Sequence, residues 1–242
     1  MNLSGITLII PDKEDAERDA VAAAWESCAG TVLRLGTFWR PPSGLDPRSV
    51  KVYGNDTFCL VLAQKIGLSL VSPPDDLIRN LDRRWTRRDV TIRMLGDMRA
   101  ADFPAFIKPV VPKQFTARIY VQLADLEMEC SGLKASTAVI LSSVIALEAE
   151  ARSFTLDGRV LDCSIYEGVA KPEGALRFSE KFCNSVPLPR TCVVDAGLIR
   201  GEEWAFIEAN SSWGAGLNGC EAAKVLPAIA AATEASAGKD PR

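Results

Sequence analysis

No histidine occurs anywhere in the 242 residues. Its absence excludes Ser-His-Asp and Cys-His nucleophile pairs, H-E-x-x-H zinc sites and imidazole general bases, so any chemistry must run on Lys, Arg, carboxylates, amides and hard metal ions. No C-x-x-C pair occurs among the seven scattered cysteines, which read as reduced and mostly buried thiols rather than zinc ligands or a redox couple. No G-x-x-x-x-G-K-[ST] occurs either, which removes the P-loop. The apolar run Ile6 to Ile10 is too short for a signal peptide or a membrane span, and no basic stretch precedes it. A cytoplasmic protein without membrane contact is expected. Charge of one sign is scarce: 28 Lys and Arg against 31 Asp and Glu give a net charge of -3, so no nucleic-acid partner is expected and anion binding must be local.

What is present is an ordinary globular composition, 48% hydrophobic, in a chain long enough to bury roughly 70–75% of its unfolded surface. The fold class expected is α/β (α+β). Ile6 to Ile10 reads as a strand and Asp12 to Ala29 as a helix. Strands follow at Thr31 to Leu35 and Val50 to Tyr53, then a helix over Asn55 to Ile66 capped by Asn55 or Asp56. Residues 1–76 thus read as a small parallel-sheet lobe. Beyond Pro73-Pro74 a short helix over Asp75 to Leu81 leads to the basic cluster Arg83, Arg84, Arg87 and Arg88. Short apolar segments then suggest antiparallel strands at Val90 to Leu95, Ala105 to Lys108, Ala117 to Val121 and Ala138 to Leu141, separated by polar loops. Leu147 to Leu156 and Val160 to Tyr166 form a hairpin about Gly158, and Thr191 to Ile199 and Trp204 to Asn210 form another about Arg200-Gly201. Gly168 to Ser185 reads as loop, Ala222 to Ala235 as an Ala-rich helix, and the GKDPR tail as frayed.

The second hairpin carries the most chemistry. Glu208 and Asn210, two apart on one strand, share a face. Pairing about Arg200-Gly201 places Asp195 opposite Glu208, so two carboxylates and an amide oxygen converge as an all-oxygen set suited to Mg²⁺. The bland alternative is that Glu208 and Asn210 are surface residues of a hairpin. Lys108 ends an otherwise apolar strand, which is costly unless an anion meets it. Lys113, in the loop beyond, could reach the same anion. Either lysine reads equally as a solvated surface residue. Gly214-Ala215-Gly216-Leu217-Asn218-Gly219 matches a dinucleotide fingerprint, but the stretch after Gly219 is too short for the rest of that unit.

Taken in order, these residues resemble the ATP-grasp superfamily, whose last two strands carry an acid and then Glu-x-Asn before a glycine-containing loop. Here the set is Asp195, then Glu208-Ala209-Asn210, then Trp213-Gly214-Ala215-Gly216, with a spacing similar to that of D-alanine:D-alanine ligases. Pro104-Ala105-Phe106-Ile107-Lys108-Pro109 resembles the strand whose lysine binds nucleotide phosphates. Arg88-Asp89-Val90 together with Lys108 and Lys113 resembles a branch distinguished by an arginine and two lysines. Arg84 and Arg87 are neighbouring alternatives to Arg88. Val52-Tyr53-Gly54-Asn55 and Leu68 to Pro74 resemble the end of that branch's preceding lobe.

The resemblance implies an ATP-grasp domain over 77–242, split into subdomains 77–143 and 144–242 that hold nucleotide between them. It implies ATP and Mg²⁺ as cofactors, with Asp195, Glu208 and Asn210 on the metal and Arg88, Lys108 and Lys113 on phosphate. Backbone groups at Ser143, Val144 and Ile145 would bond the adenine and Glu150 the ribose. Typical members carry an acid where this chain has Ser143. Arg152 would face the phosphates or a developing acyl phosphate, and Lys113 would share in catalysis, although Arg152 could instead pair with Glu148 or Glu150. The implied activity joins a small-molecule or peptide carboxylate to an amine through an acyl phosphate. The alternatives are a non-catalytic nucleotide-binding or interaction protein of the same fold and a phosphotransferase, and a homodimer is left open.

Overall fold

The computed structural model describes residues 1–201 and 203–236. Its first part is a parallel sheet. Strand β1 (Thr7–Pro11) leads into helix α1 (Ala16–Ser27) and returns as β2 (Thr31–Leu35), and β3 (Val50–Val52) adds on the other side, giving the order β2-β1-β3. Asp15 caps α1 by accepting from the Arg18 amide, with Glu17 and Asp19 placed where the helix dipole favours acids. Helix α2 (Asp56–Ile66) is capped by the Asn55 side chain on the Phe58 amide at 3.0 Å and ends at Gly67, whose φ of 80° closes it in the left-handed conformation. The short strand β4 (Leu68–Leu70) follows.

The segment Asp75 to Leu81, expected as a helix, is a 3₁₀ turn over Leu77–Asn80, and the single-turn helix α3 (Arg83–Thr86) follows it. Next come β5 (Val90–Met94), β6 (Ala105–Pro109), β7 (Arg118–Tyr120), helix α4 (Leu123–Glu129) and β8 (Ala138–Ser142), the strands forming an antiparallel sheet in the order β5-β8-β6-β7. The stretch between β7 and β8, which reads as loop, contains α4 because Leu126 and Cys130 pack under the sheet against Ile107 and Tyr120.

The second antiparallel sheet has β9 (Leu147–Leu156), β10 (Arg159–Gly168), β11 (Thr191–Ile199) and β12 (Trp204–Asn210) in the order β10-β9-β11-β12. Between β9 and β10 both Asp157 and Gly158 have positive φ, as a tight two-residue hairpin turn requires. The segment Gly168 to Ser185 is not a loop: Pro172–Ser185 is helix α5, with Pro172 in its first turn and Ala175, Ser179, Phe182 and Cys183 buried at helical spacing. Phe182 stacks on Phe206 of β12 with ring centroids 4.8 Å apart.

Helix α6 (Ala222–Ala231) packs between α1 and the β9–β11 side of this sheet, burying Val225, Leu226, Ala228 and Ile229 with Trp25, Phe154 and Val193. The helix expected to run to Ala235 stops at Ala231. Residues Thr233–Ala235 form β13, which pairs antiparallel with β4. The Thr233 carbonyl accepts from the Lys51 ammonium at 2.5 Å, and its hydroxyl accepts from the Val52 amide at 3.4 Å. The end of the described chain therefore joins the first lobe, across the 76/77 boundary read from sequence. Residues of the GKDPR tail lie outside the described residues. No helix among the described residues is long and apolar enough to cross a membrane. All seven cysteines are free and five are buried, burial pushing the Cys192 thiol up to about 11 and the Cys183 and Cys220 thiols up to about 12.

Candidate functional site

The pairing inferred about Arg200-Gly201 is present. Asp195 lies opposite Glu208 and Val193 opposite Asn210, with a bulge between Asp195 and Ala196 shifting the register beyond them. On its other side Asp195 pairs in register with Arg152 of β9. Directly opposed residues and residues two apart project to one face, so Glu150, Arg152, Asp195, Glu208 and Asn210 share a face.

Their side chains are joined in one chain of contacts. Lys108 of β6 donates to Glu208 at 2.9 Å, reaching from the smaller antiparallel sheet to the larger. Asn210 Nδ2 donates to Glu208 Oε1 and to Asp195 Oδ2, both at 3.0 Å. Arg152 takes Asp195 with a two-pronged pair, Nε to Oδ1 at 2.8 Å and an Nη to Oδ2 at 2.7 Å, and gives its other Nη to the Gly216 carbonyl at 3.0 Å. The Arg152–Asp195 pair is deeply buried, with side-chain exposures of 11% and 2%, whereas Lys108 and Glu208 are at 21% and 40%.

Burial pushes the Asp195 carboxyl above its ordinary value against the pull of Arg152. Both donors of Arg152 nonetheless point at its two oxygens, the geometry of an ionised carboxylate, and the Arg152 guanidinium is held as a cation even though burial opposes it. Burial alone would raise the Glu208 carboxyl, but Lys108, Asn210 and Arg152 together carry it below its ordinary value.

Arg88, not Arg84 or Arg87, turns inward. It donates from Nε to the Ser142 hydroxyl at 2.9 Å and from one Nη to the carbonyls of Thr86 at 3.0 Å and Phe206 at 2.8 Å. All three acceptors are neutral, and burial alone lowers its pKa, so this is a desolvated cation whose charge no carboxylate meets among the described residues. It borders a cleft of about 290 Å³ with Ile78, Leu81, Thr86 and Val90. A larger cleft of about 560 Å³, along β5 at Ile92, Arg93, Asp97 and Arg99, touches none of the candidate residues. Arg87 instead pairs with Glu203, and Arg84 lies over the Trp85 ring.

Ser143, Val144 and Ile145 link β8 to β9. The Ser143 amide donates to the Asp89 carbonyl at 3.0 Å and its carbonyl accepts from the Ser142 hydroxyl at 3.1 Å, so both of its backbone groups are occupied. Val144 is exposed. Glu150 accepts from the Tyr166 hydroxyl at 2.5 Å, and the Tyr166 ring lies 5.8 Å from the Arg152 guanidinium carbon. Sequence reasoning misses Tyr166; its position two residues past Ser164, which pairs with Arg152, is the signal that could find it. Burial and the bond to Glu150 push the Tyr166 phenol up.

Lys113 is not brought to Lys108. It sits 71% exposed, with φ of 67°, in an ion pair with Asp56 at the start of α2. Trp213 packs in the core with Ile9, Val52 and Phe58 rather than facing the site. In the glycine-containing loop, the amides of Leu217 and Asn218 are taken by the Glu17 carboxylate of α1, so the dinucleotide reading has no free amides there.

Among the described residues no group of three or more His, Cys, Asp or Glu side chains gathers as a metal cage. Asp195, Glu208 and Asn210 still fit magnesium, a hard cation that takes few protein oxygens and keeps waters or phosphate oxygens for the rest. Two carboxylates already converge on one small amide whose nitrogen and oxygen ends are interchangeable by a flip.

Comparison with known proteins agrees with this layout. No curated protein sequence matches significantly. Among solved structures, a RimK domain protein ATP-grasp from Sphaerobacter thermophilus DSM 20745 superposes with a TM-score of 0.62 at 11% identity, over 93% of this chain and 99% of that one. The D-alanine--D-alanine ligase from Bacillus anthracis gives 0.56 at 13% over 94% and 96%, and the ATP-grasp ligase PsnB with a minimal precursor gives 0.56 at 14% over 94% and 99%. At such identities the likeness is one of fold. The sequence model of the ATP-grasp domain, R-2K clade family 2, matches residues 85–228, a span that runs from α3 into α6 and holds every candidate residue from Arg88 to Asn210, and the chain belongs to that family.

Proposed function

We propose that the chain is an ATP- and Mg²⁺-dependent ligase that activates a carboxylate as an acyl phosphate for attack by an amine, forming an amide or peptide bond. The observation that carries this reading is the run Lys108–Glu208–Asn210–Asp195–Arg152, which puts two cations and two carboxylates on one path between the two antiparallel sheets. The D-alanine--D-alanine ligase is known complexed with ATP and PsnB with a minimal precursor, Mg and ADP, which supports the same choice of nucleotide and metal here.

In this reading Lys108 and Arg88 bind phosphate oxygens, Arg88 being the buried cation without a carboxylate. Glu150, oriented by Tyr166, holds the ribose, and backbone groups at Val144 and Ile145 hold the base, with Ser143 contributing least because its own backbone groups are already bonded. Asp195, Glu208 and Asn210 would hold magnesium, which supplies neutralisation of phosphoryl charge. Arg152, locked by Asp195, presents a fixed positive charge beside them and stabilises negative charge that develops on the reacting oxygens. None of these roles requires histidine.

Two measurements test the reading. Mg²⁺-ATP or Mg²⁺-ADP should raise the melting temperature, since a ligand selective for the folded state stabilises it by mass action; no response to ATP, ADP or GTP with Mg²⁺ would overturn it. Incubation with candidate carboxylates and amines should release ADP and phosphate with an amide product. ADP with a phosphorylated acceptor would instead identify a phosphotransferase, and binding without turnover an interaction protein. Glu208→Gln keeps the side chain's size but removes the charge assigned to the metal, so turnover should collapse while some nucleotide binding persists.

A further inference from the structure

The residues matched by the family end at 228 and begin at 85, yet the contact that fixes the far end of the site comes from the first lobe. Glu17 lies in the first turn of α1, where the helix dipole favours a negative charge. Its carboxylate accepts the Leu217 amide at 2.8 Å and the Asn218 amide at 2.7 Å, one oxygen to each. Such bonds to an ionised acceptor are among the stronger kinds a loop can make. The loop is shaped around this carboxylate: a Cβ on Gly216 would stand 2.5 Å from the Glu17 oxygen, closer than real contacts permit, and Asn218 takes a positive φ of 47°. Between the held amides and the rest of the site lies one peptide unit, and its carbonyl, that of Gly216, accepts from Arg152 at 3.0 Å.

The geometry points to Glu17 as a positioning residue, which holds the 214–218 loop so that the Gly216 carbonyl and Asp195 together fix the direction of the Arg152 guanidinium. The inference rests on the reading above that Arg152 faces the reacting groups. It makes the first lobe part of the active machinery, because the charge of Arg152 is aimed from α1 through a loop that lies 201 residues away in sequence. A second lobe-to-loop bond, from the Tyr53 hydroxyl to the Ala215 carbonyl at 2.8 Å, holds the same loop but lies off the path to Arg152. It serves as the internal control.

The test uses the full chain labelled with ¹⁵N, reading the Nε–H resonance of Arg152, assigned through its loss in Arg152→Lys. Glu17→Gln leaves one acceptor oxygen where two amides need one each, so the Arg152 Nε proton should exchange with solvent roughly tenfold faster or more, as loss of one charge-assisted bond implies. Tyr53→Phe should leave that rate near the wild-type value. Gly216→Ala, which pushes Glu17 away from the loop side, should reproduce the Glu17→Gln result and covers the case in which that variant fails to fold. An unchanged Arg152 rate in Glu17→Gln and Gly216→Ala, or an equal acceleration in Tyr53→Phe, would overturn the proposal and leave Glu17 a simple stitch between lobes. Calorimetric binding of Mg²⁺-ADP should be unchanged in Glu17→Gln, because Lys108 and Arg88 are untouched. Should the wild-type chain bind no Mg²⁺-ADP, the ligase reading falls, while the Arg152 rate still decides the role of Glu17.

Discussion

The two faces of the β10-β9-β11-β12 sheet are built from alternating residues of the same strands, yet they obey different rules. One face carries Ala149, Ala151, Val194, Ala196 and Phe206, buried beneath α5 with Phe182 and Ala175. The other carries Phe154 and Val193 where α6 covers it and, beyond that cover, Glu150, Arg152, Asp195, Glu208 and Asn210. The covered faces gain from removing apolar area from water, which tolerates exchange of one hydrocarbon for another of similar volume. The charged patch has no such tolerance, since each ion in it is stable only while its partner is present. The fold is thus held by one set of alternate residues and its chemistry by the other.

The comparison breaks first on the apolar side. Phe182→Ala removes a fully buried ring stacked between Phe206 and Phe178 and met edge-on by Trp85, and should cost about 3–5 kcal/mol of unfolding free energy in urea titration. A loss below about 1 kcal/mol would mean that α5 does not support the sheet. On the charged side, Arg152→Ala strands a carboxylate that is 2% exposed, and should cost on the order of 3 kcal/mol at neutral pH. The double variant Arg152→Leu with Asp195→Leu should recover most of that stability and none of the activity, because matched apolar side chains replace a buried ion pair at little cost. If the double variant is no more stable than Arg152→Ala, the pair is not the closed unit its geometry indicates.

A smaller contrast concerns the two lysines that the sequence reading places together. Lys108→Ala removes a half-buried cation in line with Glu208, and should weaken Mg²⁺-ADP binding by about 1.5–3 kcal/mol in calorimetry. Lys113→Ala removes an exposed charge paired with Asp56, and should change affinity by less than about 1 kcal/mol. Equal losses from both would mean that the Lys113 loop moves onto the phosphates when nucleotide binds.

Strand order in the charged hairpin is legible because alternation and a short turn fix which residues oppose each other, and Asp195 against Glu208 follows directly. The bulge after Asp195 does not follow from pattern, since local packing sets it. Helix α5 reads as loop because Pro172, Gly174 and Asn184 resemble turn residues, although Ala175, Phe178, Phe182 and Cys183 carry a helical period. The Ala-rich end reads as helix to Ala235 because propensity is local, whereas the strand at Thr233 is made by pairing with β4, distant in sequence. Glu17 and Tyr166 belong with that failure. Nothing in their neighbourhoods names a partner, and only the closed fold brings Glu17 to Leu217 and Tyr166 to Glu150.

The finest expected effect separates the two carboxylates by the sign of their response to acid. Glu208 is held below its ordinary value of 4.5 when folded, so the unfolded chain binds its proton more readily. Its ionised form therefore contributes stability above the unfolded value, and that contribution is lost as pH falls through the lower, folded one. Since Glu208 is 40% exposed, solvent screens the pair with Lys108 and the contribution at neutral pH should be under about 1 kcal/mol. Asp195 is shifted the other way by burial, so its own term favours the folded chain at low pH and weakens as pH rises through its raised value. Unfolding free energies of wild type and Glu208→Gln, compared from neutral pH downward, should converge below the ordinary value of Glu208 as its carboxyl protonates. The same comparison for Asp195→Asn should change in the opposite sense over the carboxylate range. A wild-type advantage over Glu208→Gln that grows on acidification would show that Lys108 does not hold Glu208 as its ion pair, and would remove the link between the two sheets on which the phosphate assignment rests.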